Sequence, residues 1–97
     1  MKIELDIFEA TKKIVENPSN YAEASRARAD RISPPGRKRQ AVIAAGRDAM
    51  AESLFEIHPE LKGNFGKLTN CFRAQFGENF NFEQLNITGA RALGYEL

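Results

Sequence analysis

The chain has no tryptophan, one histidine and one cysteine among its 97 residues. Each shortage removes a class of structure. A single thiol, Cys71, excludes an internal disulfide and fits a reducing cytoplasm. His58 has no neighbour at metal-ligand spacing, and the roughly four ligands of a structural zinc ion are not in sight. No apolar run approaches the roughly 18–20 residues that span a bilayer. The opening MKIELDIFEATKK mixes acidic and apolar residues, which is not the pattern of a secretory signal. There is no phosphate-cradling glycine loop and no Ser/His/Asp arrangement. A thiol nucleophile needs a base and an electropositive setting, and for Cys71 only a tertiary contact with His58 supplies one. We therefore read Cys71 as a buried, inert thiol and His58 as a helix-terminal side chain. The expectation is a single domain over residues 1–97, non-enzymatic, with no cofactor and no metal.

What is present is helical periodicity. Ile7, Ala10 and Ile14 line one stripe, with Asp6 placed to cap it, Glu9 at capping-box distance, and Asn17-Pro18 to stop it. The alternation of Ile3, Leu5 and Ile7 also suits the start of a short strand. A second helix is expected from a cap at Ser19 or Asn20 to Ile32, with a thin, alanine-rich buried side. Ser33-Pro34-Pro35-Gly36 ends it, because a proline disfavours α geometry at the residue before it. Residues 38–57 carry the longest stripe: Ile43, Gly46, Met50, Leu54 and Ile57, with Gly46 read as a point of close helix contact. Phe65, Leu68, Phe72 and Phe76 define a fourth helix that Gly77 closes. Phe80, Phe82 and Leu85 come next, and Ala90 and Leu93 suggest one last turn before Gly94. The fold expected is all-α, a bundle of about four to five helices with a Pro-Pro-Gly hinge between the second and third. The phenylalanines at 65, 72, 76, 80 and 82 are core candidates, and part of that surface suits a partner helix or groove.

Charge is unevenly distributed. The net charge is +1, yet residues 26–47 hold seven basic side chains against Asp30 alone, a local sum of +6. The flanking segments 1–25 and 48–97 sum to −2 and −3. Asp48, Glu52 and Glu56, four apart, form an acidic stripe that reads as solvated or partner-facing. The basic block reads as a solvated face, a protein-binding face or a nucleic-acid face. Its cations bracket a predicted helix start, where the macrodipole disfavours them, so something besides helix stability keeps them there. The candidate partner-binding residues are Arg26, Arg28, Arg31, Pro34, Pro35, Arg37, Lys38 and Arg39. The exposed proline tetrad also suits a prolyl isomerase, since each X-Pro bond exchanges between cis and trans slowly.

Over its whole length the chain resembles the small anti-RecBCD accessory proteins of lambdoid phages, in the opening MKIELDIFEATKK, the hinge ISPPGRKRQ and the end GARALGYEL. The resemblance implies a phage protein of the infected bacterial cytoplasm. It would bind the host RecBCD helicase–nuclease through RecC and modify its nuclease activity, protecting phage DNA ends and promoting recombination. That family has no catalytic motif, so no residue role carries over. The alternative is a small nucleic-acid-binding regulator that uses the block 26–47.

Overall fold

The structure, a computed structural model, describes residues 3–97. It is all-helical, with five α-helices and no strand among the described residues. They are α1 (Ile7–Glu16), α2 (Glu23–Arg31), α3 (Pro35–Ile57), α4 (Phe65–Phe76) and α5 (Phe82–Ala92). A short 3₁₀ turn at Pro18–Asn20 lies between α1 and α2, and another at Pro59–Leu61 lies between α3 and α4.

α3 is the spine. Its 23 residues run about 34 Å at 1.5 Å per residue, in a molecule measuring 44 × 27 × 20 Å. Its buried positions surround much of the helix between Val42 and Phe55, because α1, α2 and α5 pack on different sides of it. The closest packing is with α5. A methyl group on Gly46 would overlap the Asn86 carbonyl oxygen and the Ala90 amide nitrogen, and one on Gly89 would overlap the Gly46 carbonyl. Two facing glycines thus let the backbones touch, as expected for Gly46. The main core gathers Ile14, Met50, Leu54 and Leu61, all essentially inaccessible, with Leu5, Leu68, Phe72 and Leu85 around them.

α4 joins the bundle through long side chains rather than close backbone approach. Phe72 stacks on Phe80 at 5.2 Å and meets Phe82 edge-on at 5.8 Å, and Phe76 stacks on Phe80 at 5.1 Å. These four rings tie α4 to the loop after it and to the start of α5.

The structure departs from expectation in several places. Ile3 to Leu5 form no strand; instead the Gln75 side chain acts as a strand edge for Leu5, accepting from its N–H at 2.6 Å and donating to its C=O at 2.9 Å. The last turn expected at Ala90 and Leu93 is the end of an 11-residue helix, α5, whose N-cap Asn81 accepts from the Gln84 N–H at 3.1 Å. α3 begins at Pro35 rather than Lys38, because proline suits the first helical position: its φ is preset and its missing N–H is not needed. Ile32, Ser33 and Pro34 are therefore the whole connection, Pro34 is extended at φ −63°, ψ 126°, and no described peptide bond is cis.

Candidate partner-binding surface

α2 is a polar helix in which Ala29 alone is buried, packed against Val42 of α3, so its apolar contact with α3 is small. The acidic stripe adds polar contacts. Tyr21 donates its hydroxyl to Glu56 at 2.6 Å, the Ala22 N–H donates to Glu52 at 2.7 Å, and Ser25 donates to Asp48. Three carboxylates on successive turns of α3 thus receive three donors from the start of α2. The stripe is solvated as expected at Glu52 and Glu56, which are exposed, and Asp48 is half-buried; the sequence did not show that each carboxylate also accepts a hydrogen bond from within the molecule. The expected start of α2 is corrected. Ser19 bonds the Asn17 side chain and lies in the 3₁₀ turn with Asn20. The cap falls to Ala22, held at φ 55° in left-handed geometry that a non-glycine residue adopts at a cost. Glu52, thirty residues on, satisfies the amide that a local cap would otherwise take.

Two ionisations are shifted by this contact. The Tyr21 phenol is pushed up from its ordinary value near 10 to about 12, by burial first and then by the bond to Glu56. Glu56 is held below the usual carboxylate range, mainly because Tyr21 donates to its charged form and to a lesser degree because Lys13 lies 3.6 Å away, with desolvation opposing both. At the other end of α2, Tyr95 donates to Asp30 at 2.7 Å, and burial with this bond raises its phenol.

The candidate basic residues divide in two. Arg26 is half-buried and donates to the Pro18 carbonyl at 3.0 Å, fastening α2 to the preceding turn, so it is mainly a structural arginine. Arg28, Arg31, Arg37, Lys38 and Arg39 are exposed, and none forms an ion pair among the described residues. Every residue from Ser33 to Gln40 is exposed. The end of α2, the prolines and the first turns of α3 therefore project as one cationic corner. α3 has no side-chain cap and no acidic residue in its first turn, so nothing in that turn offsets Arg37, Lys38 and Arg39 at the positive end of its dipole; Glu83 of α5 shares a shallow concavity with Arg39. Beside the corner, Arg28, Arg37 and Arg47 rim a groove of about 410 Å³ whose apolar lining includes Ile32, Ala41 and Ala44. Arg47 pairs with its neighbour Asp48 at 3.2 Å. The sequence had no means of showing this groove, since it needs α2 laid along α3.

The other candidates sit apart from the corner. His58 caps the C-terminus of α3 through its N–H to Leu54, and its Nδ1 lies 3.7 Å from Glu60. Cys71 is half-buried against the main core, and no hydrogen bond joins it to His58 among the described residues. Among those residues no three His, Cys, Asp or Glu side chains are grouped to hold a metal ion, and no helix is long and apolar enough to cross a membrane. Of the phenylalanines, Phe72 is buried and Phe80 and Phe82 are half-buried, while Phe65 and Phe76 are 53% and 45% exposed. In comparisons with known proteins, no family model, no curated protein and no solved structure matches the chain.

Proposed function

We propose that the chain is a binding protein without chemistry of its own that docks its cationic corner on a host enzyme. The partner we assign is the RecBCD helicase–nuclease, bound through RecC in the cytoplasm of an infected bacterium. Docking would alter its nuclease activity, protect phage DNA ends and promote recombination. The observation that carries the binding role is five exposed, unpaired cations held together at one corner, three of them at a helix terminus that they destabilise. The partner's identity is supported by the likeness of the opening, hinge and end of the chain to the anti-RecBCD accessory proteins. Ser33, Pro34, Pro35 and Gly36 are exposed on the same corner, within reach of a host prolyl isomerase.

The test is co-elution of the purified protein with RecBCD in gel filtration, with nuclease activity as a second readout. Arg37→Glu combined with Lys38→Glu should abolish co-elution and restore nuclease activity while the helical circular dichroism stays unchanged. Undiminished co-elution would remove the corner from the interface. A second reading, a nucleic-acid-binding regulator, draws on the three guanidiniums around one groove, which suit phosphate. It requires a duplex gel shift that weakens steeply with salt, because phosphate contact releases counterions. No shift at physiological salt discards it.

A further inference from the structure

A second concavity lies beneath α4. It holds about 240 Å³ between α3, α4 and α5, with Met50, Ala51, Leu68, Phe72 and Leu85 among its lining residues. That exceeds the roughly 150 Å³ of a cavity that accepts benzene. It is open to solvent, and the half-exposed Phe65 ring forms part of its lining. Arg47 and Arg73 line it and no carboxylate does, but Arg47 is paired with Asp48 at 3.2 Å, which leaves Arg73, among the described residues, as the free cation at its margin. Arg73 lies 5.7 Å from the centre of the Phe82 ring and has no ion-pair partner among the described residues. An apolar hollow with a free cation at its margin complements a large apolar side chain with negative charge beside it.

We propose that this cleft is a second docking site, which takes an aromatic side chain from an acidic segment of a partner protein, with a flanking carboxylate on the unpaired Arg73. It stands independently of the corner, sharing with that groove Arg47 alone. The aromatic ring covers Leu68, Phe72 and Leu85, while the carboxylate fixes its direction of entry.

The experiment is a ¹⁵N NMR titration of the full chain with the acetylated, amidated pentapeptide Asp-Glu-Phe-Glu-Asp. Saturable shifts should centre on Ala51, Leu68, Thr69 and Leu85. Replacing the peptide's Phe by Ala should weaken binding about tenfold or more, and replacing its four acids by Lys should abolish it. Arg73→Glu, at an exposed position, should likewise weaken binding about tenfold with unchanged circular dichroism. Thr69→Phe, which fills the hollow, should block it; if that variant does not fold, Arg73→Glu alone decides. Shifts confined to residues 26–40, equal binding of the Ala peptide, or no saturation at millimolar peptide would overturn the proposal. Phenylacetate binding as tightly as the peptide would also overturn it, in favour of a small-molecule site.

Discussion

Gly46 shows how much a single missing atom decides. Substitution by alanine ordinarily favours a helix interior by about 1 kcal/mol. Here the added carbon would meet the α5 backbone at Asn86 and Ala90, which cannot rotate away as a side chain does. Overpacking against backbone outweighs propensity, so Gly46→Ala should destabilise the fold by about 3 kcal/mol or more. Urea unfolding followed by circular dichroism measures this, and a neutral or stabilising result would mean that α3 and α5 do not cross as described. A spacing argument alone placed Gly46 at a helix contact. It had no means of naming the partner, because the chain around Gly89 reads as a tail when taken by itself. Gly89 lowers helix propensity there, and the stripe behind the Asn81–Gln84 cap buries only Leu85, Gly89 and Ala90, two of them small residues that give a weak apolar signal.

At the level of elements, legibility depends on the range of the forces involved. α1 and α4 carry their own caps, Asp6 to the Glu9 N–H and Asn64 to the Lys67 N–H, and their own apolar stripes, so both were readable locally. The start of α2 was read too early because the donors that seat it, Tyr21, the Ala22 N–H and Ser25, bond carboxylates on α3 rather than local caps. The Tyr21–Glu56 bond makes the seating of this segment on α3 depend on pH. Glu56 has a lowered pKa in the fold, so its contribution is complete above the ordinary carboxylate range and is lost as pH falls through its folded value. Tyr21 is the opposite case. The folded chain keeps the phenolic proton to about 12, so the stabilisation is complete below about 10 and disappears as pH rises through 12. A tyrosine absorbance titration should show Tyr21 ionising near 12, and Tyr21→Phe should remove that step while flattening the alkaline loss of thermal stability. A Tyr21 that ionises near 10 would mean that α2 is not seated on the stripe. The same long-range origin explains the partial reading of the candidate surface. The exposed cations were visible as a charge block, but the withdrawal of Arg26 into a bond with Pro18 depends on the turn between α1 and α2.

Across the whole molecule, charge and shape are aligned in a way that net charge conceals. A protein of net charge +1 places its +6 segment at the start of a helix about 34 Å long and leaves acidic segments on both sides of it in the chain. Such polarity orients a diffusing protein toward an acidic face and speeds encounter more than it strengthens the final complex. It is also unfavourable for folding, since Arg37, Lys38 and Arg39 face the positive end of the α3 dipole with no acid in the first turn to offset them. A surface kept at the expense of stability should improve in stability when it is removed. Arg37→Glu with Lys38→Glu should therefore raise the melting temperature by a few degrees at low salt, by less at high salt where the dipole interaction is screened, and should sharply reduce retention on a cation exchanger near neutral pH. Lys62→Glu with Lys67→Glu makes the same change in net charge outside the corner and should leave much of the retention intact. If both double variants lose retention equally, net charge governs binding to the resin and the corner has no special role. If the first variant melts lower than the parent, those cations stabilise the fold, and the trade-off between folding and binding that supports the proposed function is absent.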